Sequence, residues 1–487
     1  MSLRVYDVMR RKVVRFEPRD PGRVSMYVCG PTVYGPIHIG NARTILWFDM
    51  IRRYLGYRGF EVTYVMNYTD VDDKIIERAR VEGTSPDVVA AKYSAAFERD
   101  MTALGAEPAD LVVKATDHIG DMIAAVSGLI DAGLAYEADG DVYYAVEKFD
   151  GYGKLSGRTL EEMRAGERVE PMSSKRHPLD FALWKAAKED EPAWDSPWGP
   201  GRPGWHIECS VMSTKYLGMG FDIHGGASDL TFPHHENEIA QAEGLTGRQP
   251  FVRHWLHAGL VQMESEKMSK SIGNIVLAHD VAERFGEATR YWALMGSYRT
   301  QMVFSDDSLA DAAQAYERWR TFLESARHAL GGAMPDVPVS PLRAGDPVQA
   351  RGPGGIYLAR FVEAMDDDFN SAAAFAAIHD LVREGNRLIE PSQRGNESAV
   401  EELAGFVSVF LELTGLLNFS FAQPGSSNEL VGGLIDYLLE LRQEARAKKA
   451  FDRADGIRAR LASLGVQVED TPAGPRWRIG SPGVTES

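Results

Sequence analysis

The 487 residues are 44% hydrophobic and 25% charged, a globular composition whose length suggests roughly two to four domains. Asp and Glu outnumber Lys and Arg by 70 to 53, a formal charge of -17, which excludes a surface that is basic throughout and confines any nucleic-acid contact to local patches. Two cysteines, Cys29 and Cys209, exclude a disulfide framework and leave buried thiols, a catalytic thiol or metal ligands.

The N-terminal stretch MSLRVYDVMRRKVVRFEP has no apolar signal core, and no stretch approaches the ~18 uncharged apolar residues of a membrane helix. The expectation is a soluble cytoplasmic protein with no membrane partner. Residues 24–29 (VSMYVC) read as a strand, followed by the breaker-rich GPTVYGP, a helix over 39–55 and a second strand over 61–67. Strand, Gly/Pro loop and helix open a parallel α/β unit. Ligands in such folds gather at the carboxyl ends of strands, where Cys29, His38 and Asn41 fall. Within PIHIGN, a helix start offers unpaired N–H groups and a positive dipole end to phosphates, and Gly40 allows close approach.

From about 108 to 199 the pattern loosens into a helix near 117–132, the strand-like DVYYAV and a Trp/Pro-rich stretch, an insertion within the α/β domain. The α/β pattern resumes over 220–244, and a helix-rich region follows Ala278. Gly and Pro make up 11 of the 25 residues over 331–355, a linker. Helical periodicity returns over 357–388 and 399–417, and AQPGSSN (422–428) separates a C-terminal piece. In that piece, residues 442–460 carry seven Lys/Arg against three acids, a local +4. Such a run suits either a solvated helix face or phosphate binding. No internal repeat or low-complexity tract is present.

The run FDIHGGASDLTFPHHENEIA predicts a helix from Pro233 to about Gln241, with His234 and Glu238 sharing a face at i and i+4. Zinc takes thiolate, imidazole and carboxylate ligands, commonly four of them. Cys29, Cys209, His234 and Glu238 make one such set, and spacing alone leaves His235 an equal candidate. A metalloprotease helix needs His-Glu-x-x-His, but Ile239 stands at the last position. Further on, KMSKS (267–271) places Lys267 and Lys270 among hydroxyls, ahead of Gly273, as suits a loop closing on pyrophosphate charge.

Together HIGN and KMSKS resemble the paired signatures of class I aminoacyl-tRNA synthetases. CGPTVYGPIHIGNAR, NYTDVDDKI, YGKLSGR, GRPGWHIECS, FDIHGGASDLTFPHHENEIAQ and EKMSKSIGN are similar to motifs of cysteinyl-tRNA synthetase, over residues 6–477. The resemblance implies an α/β fold: a Rossmann-type parallel-sheet catalytic domain with an inserted connective domain, then an α-helical bundle and a small C-terminal anticodon-binding domain. It implies halves of the catalytic domain at 1–110 and 201–260 and the insertion at 111–200. The KMSKS loop and stem-contact region falls at 261–325, the helical tRNA-binding domain at 326–421 and the anticodon-binding domain at 422–487.

It implies one zinc ion on Cys29, Cys209, His234 and Glu238, and an amino-acid pocket of Cys29, Thr69, Trp205 and His224. His38, Gly40, Asn41, Asp229, Lys267 and Lys270 would hold ATP with its Mg2+, with His38, Asn41, Lys267 and Lys270 the catalytic set. The implied reaction joins L-cysteine to cysteine tRNA through a cysteinyl-adenylate, on a monomer. Family members more often end the first signature in histidine, so Asn41 is a departure. A cysteine ligase acting on an amino sugar would share the catalytic motifs, but it has no need of a helical domain like EAMDDDFNSAAAFAAIHDLVREGNRL or of the basic segment that follows. A catalytically silent zinc- and RNA-binding relative would have no need of intact HIGN and KMSKS. Arg476, Trp477 and Arg478 either meet unpaired anticodon bases or end a strand.

Overall fold

The computed structural model describes residues 2–166, 174–263, 275–335, 337, 339, 341–342, 352–421, 426–448, 450–464, 466–471 and 474–479. Five strands form a wholly parallel sheet: β1 (Arg23–Val28), β2 (Glu61–Tyr68), β3 (Leu111–Lys114), β4 (Phe221–Ala227) and β5 (Val252–Ala258). Across the sheet the order is β3-β2-β1-β4-β5. This is the doubly wound order, in which chain direction across the sheet reverses between β1 and β4, opening a crevice at their carboxyl ends. The expected Rossmann-type fold is therefore present. Cys29, immediately after β1, and His224, in β4, stand beside that switch point.

After β1 the chain enters helix α1 (Ile39–Tyr57), which is buried along most of its length. It approaches the sheet closely because β4 carries Gly225: a Cβ there would stand 2.3 Å from the Phe48 ring. Between β3 and β4 lies the expected insertion, with a helix Ile119–Asp131 and an antiparallel sheet of Ala135–Ala138, Asp141–Tyr144, Phe181–Ala186 and Gly201–Pro203. Its Val142, Tyr144, Phe181 and Leu183 share one buried cluster with Tyr27, Val65, Phe221 and Trp255 of the parallel sheet. The insertion is thus fused to the catalytic core by apolar burial, and the chain returns through α2 (Trp205–Leu217).

Beyond the sheet, helices Asp306–Ala329, Gly355–Asp366, Ser371–Gln393 and Glu397–Leu416 form the bundle. The sequence periodicity reads 357–388 as one helical run, but the structure interrupts it: Asp368 and Phe369 take left-handed φ of 59° and 51°. The Asp368 carboxylate accepts from Tyr6 N (2.6 Å), Arg299 Nε (2.7 Å) and Tyr298 Oη (3.0 Å). Partners distant in sequence impose this bend, so local periodicity could not report it.

Residues 421–487 form a second compact unit. Helices Ser426–Ala447 and Phe451–Ser463 and the strand pair Val466–Thr471/Gly474–Ile479 surround Ile435, Leu439, Leu461 and Val466. Helix begins at Ser426, inside the expected break. The basic run is divided between the two helices, and Arg442 is buried, so the run is not one solvated face. Trp477 packs on this small core and its Nε1 donates to Asp436 Oδ1 at 2.7 Å. Arg476 and Arg478 flank it on the same strand. No helix among the described residues is long and apolar enough to cross a membrane.

Candidate active site

Helix α3 (His234–Thr246) is buried on every side from His234 to Glu243, although seven of those ten residues are polar or ionisable. Such burial is costly unless each group is satisfied. Glu236 accepts from Ser156 N (2.8 Å) and Leu155 N (3.1 Å), tying down the YGKLSGR loop. Asn237 accepts from Tyr152 Oη, and Glu243 pairs with Lys154. His235 Nδ1 lies 2.8 Å from His257 Nε2, and His234 Nδ1 lies 2.8 Å from His206 Nδ1. The helix therefore carries no amphipathic signal, because its polar groups are consumed internally.

His234 Nε2 has no hydrogen-bond partner and is buried. It lies 3.1 Å from Glu238 Oε1, which is itself 3.8 Å from Cys29 Sγ. The two sulfurs are 3.7 Å apart. A tetrahedral ion about 2.3 Å from each of two thiolates would hold the sulfurs about 3.8 Å apart. Cys29, Cys209, His234 and Glu238 thus bring four ligand atoms within 4.8 Å of one another.

Cys29, His224, His235 and Glu238 make an overlapping set. In it, however, His235 has both nitrogens engaged, Nε2 at 3.3 Å from Cys29 Sγ and Nδ1 on His257. His224 Nε2 lies 2.7 Å from the other Glu238 oxygen, as a second-layer partner orienting a ligand would. The orphaned nitrogen of His234 and the proximity of Cys209 favour the two-cysteine set.

Burial pushes both thiols above their usual range and holds His234 far below its own, while burial raises Glu238 against the pull of His224. In isolation these groups favour their neutral forms. A bound cation reverses this preference for thiolate and carboxylate.

Around the cluster, Trp205 is 38% exposed and stacks on His234, ring centroids 4.2 Å apart at 22°. A Trp left open over a buried histidine forms a wall of a cleft rather than core. His224 stacks on Trp255 at 4.7 Å. Thr69, at the end of β2, is buried and donates to Glu208 Oε2 at 2.8 Å. Glu208 is raised by burial, held down by that hydrogen bond, and raised by Asp72 and Asp70. The loop after β1 crosses β2 closely only because residue 30 is glycine: a Cβ would lie 1.7 Å from Asn67 O.

HIGN occupies the expected helix start, with an added feature. His38 Nδ1 accepts from Asn41 N at 3.2 Å while Asn41 Oδ1 accepts from His38 N at 3.3 Å, a reciprocal capping box. Asn41 thus commits its oxygen to the backbone. Lys267 and Lys270 lie outside the described residues. The chain on either side of that segment meets HIGN: Val261 approaches Gly40, while Ile39 N donates to Val276 O (2.9 Å) and Ala278 N to Ile37 O (3.0 Å). Asp229 sits exposed in the turn Ser228–Thr231 at the carboxyl end of β4.

The sequence reading did not single out His206, His257, Asn67 or Glu208. His206 had a signal, the i, i+3 spacing to Cys209, and His257 alternates with Trp255 on one face of β5. Glu208 had none, since its partner Thr69 is 139 residues away.

A family model described as the class I (C) tRNA synthetase catalytic domain matches residues 15–314, a DALR domain matches 360–422, and a cysteinyl-tRNA ligase anticodon-binding domain matches 433–478. A cysteine–tRNA ligase of Pelotomaculum thermopropionicum is 48% identical over 98% of this chain and 99% of its own length. One from Moorella thermoacetica is 49% identical over 97% and 99%.

The chain belongs to the cysteinyl-tRNA synthetase family.

As a member of that family it is a class I synthetase with a catalytic domain and tRNA-reading appendages, and the anticodon-binding match disfavours the amino-sugar ligase. Among solved structures, methionyl-tRNA synthetase of Mycobacterium tuberculosis with methionyl-adenylate superposes with a TM-score of 0.57 at 16% identity, covering 84% of this chain and 93% of that one. The Agrobacterium radiobacter K84 leucyl enzyme in a ternary complex with tRNA gives 0.57 at 13%, covering 84% and 87%. At these identities the likeness concerns fold, and the cysteinyl-tRNA synthetase fold is that of its class.

Proposed function

We propose that the protein charges cysteine tRNA with L-cysteine at the expense of ATP, through a cysteinyl-adenylate, and that Cys29, Cys209, His234 and Glu238 hold a zinc ion that selects the substrate. The observation that carries this reading is the buried two-sulfur cluster at the β1/β4 switch point, with a 3.7 Å sulfur separation and an orphaned His234 nitrogen aimed into it. When bound, zinc stabilises thiolate as a ligand and accepts a neutral hydroxyl poorly, which separates cysteine from serine. Discrimination by bond type makes a separate editing site unnecessary.

The chain's own groups do the remaining work. Trp205 and His224 wall the pocket and Thr69 meets the amino acid. The N-terminus of α1, with His38, Gly40 and Asn41, receives the phosphates of ATP and its Mg2+, where the positive end of the helix dipole favours anionic charge. Asp229 meets the ribose. Lys267 and Lys270 balance charge on the departing pyrophosphate. The cysteine carboxylate attacks the α-phosphate, and the terminal ribose hydroxyl of tRNA then attacks the adenylate carbonyl and releases AMP. Both steps depend on alignment, with no enzyme nucleophile. The enzyme acts in the cytoplasm as a monomer, and residues 326–421 and 422–487 engage the tRNA.

Transfer of labelled cysteine onto unfractionated tRNA, with ATP, magnesium and serine in parallel, tests the reading. Cysteine attached and serine refused is the expected result. Cysteine-dependent pyrophosphate exchange without charging would transfer the activity to another acceptor, and silence in both assays would refute it.

A further inference from the structure

The two cysteines are joined beneath the cleft by a buried polar chain that the zinc and ATP assignments leave unused. Gly30, next to Cys29, donates its N–H to Asn67 Oδ1 at 3.1 Å. Asn67 Nδ2 points at Thr69 Oγ1 over a long 3.5 Å, and Thr69 Oγ1 donates to Glu208 Oε2 at 2.8 Å. Glu208 precedes Cys209. Asn67, Thr69 and Glu208 are each 1% exposed, so water does not redirect these bonds.

The chain has a direction. Asn67 uses its oxygen on Gly30 and therefore offers Thr69 only its amide N–H. A threonine hydroxyl carries a single proton, and Glu208 takes it. Whatever Thr69 presents to a ligand is consequently a lone pair. An acceptor fixed in that sense complements an ammonium group and gives nothing to a carboxylate.

We infer that Glu208 is a positioning residue: it turns the Thr69 hydroxyl so that its oxygen accepts from the α-ammonium of the cysteine substrate. The inference rests on the reading of Thr69 as part of the amino-acid pocket. Recognition is then two-pointed, with the thiol at the cysteine-rich end and the ammonium at Thr69. The same chain links the backbone next to each cysteine, so the distance between the two points is set by the scaffold that places the sulfurs. A site built to pair with a donor rejects analogues that lack it, because the buried acceptor is left unsatisfied.

Cysteine-dependent pyrophosphate exchange by the full-length protein, with 3-mercaptopropionate as a competitor that keeps the thiol and carboxylate and lacks the amine, tests this. Glu208→Ala and Thr69→Val should each raise KM for cysteine roughly tenfold to hundredfold, as loss of one charge-assisted bond does, with kcat little changed. The double variant should be no worse than either single, and Glu208→Gln, which keeps an acceptor of the same reach, should recover most of the loss. Inhibition by 3-mercaptopropionate and zinc content per chain should match the parent throughout.

A parallel loss of zinc and of 3-mercaptopropionate affinity in Glu208→Ala would show that Glu208 merely props Cys209, and would overturn the inference. So would additive single effects, or an unchanged KM in both singles. Should Glu208→Ala fail to fold, Thr69→Val and Glu208→Gln carry the same comparison: an unchanged KM in Thr69→Val, or a full loss in Glu208→Gln, overturns it. Absence of cysteine-dependent exchange in the parent would overturn the pocket reading itself, a distinguishable failure.

Discussion

Replacing Cys209 by serine changes one atom in a side chain that is 1% exposed, and the expected consequence is large and confined to the metal. The surrounding apolar residues, Ile207, Met212, Phe221 and Trp255, are untouched, so the fold should persist. The hydroxyl stays protonated at neutral pH, so the ligand set loses one of its two thiolates. Complete four-ligand zinc sites are worth on the order of 10–16 kcal/mol, so one ligand in four carries about 3 kcal/mol. At 1.4 kcal/mol per decade, that weakens zinc binding about a hundredfold. The assay is zinc per chain after dialysis against a chelator poised near the parent's affinity, with cysteine-dependent pyrophosphate exchange in the same samples and circular dichroism as a fold control. Zinc and exchange should disappear together. A folded, zinc-free Cys209→Ser protein that still activates cysteine would refute the selection mechanism.

Asn41→His should leave activity within about tenfold, roughly 1.4 kcal/mol of barrier, because an imidazole nitrogen can accept from His38 N as Asn41 Oδ1 does. A hundredfold loss in exchange rate would show that the amide does something the cap does not explain. Burial holds His257 down to about 3. The unfolded chain takes up a proton below about pH 6.5 while the folded one does not, so stability is full above that pH and declines toward pH 3 by about 1.4 kcal/mol per unit. Half-buried His206, also held near 3, adds a smaller slope of the same sign. Urea midpoints of chelator-treated protein should therefore fall between pH 6.5 and 5, and a flat profile would contradict this. Trp477→Ala should destabilise the C-terminal unit by about 2–3 kcal/mol, given partial burial on a small core. Limited proteolysis should then release that unit first; weakened tRNA binding without altered proteolysis would instead assign Trp477 to base stacking.

Local sequence carried a great deal here. The strand–loop–helix opening, the HIGN helix start, the i, i+4 pair of His234 and Glu238 and the division at the C-terminal unit rest on short-range features. These are breakers between periodic segments, i and i+4 spacing, and motifs whose length makes coincidence remote. Each is fixed by chain geometry over a turn or two, so it is legible without the fold.

What the tertiary structure alone decided is which distant groups share a bond. The helix from His234 to Thr246 lacks amphipathicity because its polar side chains are satisfied by the insertion, β5 and α2, and no local pattern encodes that. The choice of His234 over His235 as ligand turns on which imidazole has a nitrogen left unpaired. The break at Asp368 exists because Tyr6, Tyr298 and Arg299 converge on one carboxylate. Glu208, on α2, acquires a role only when Thr69, just past the end of β2, comes within 2.8 Å. A buried polar group is defined by its partner, and the partner is chosen by the path of the backbone through space, which spacing along the chain does not record.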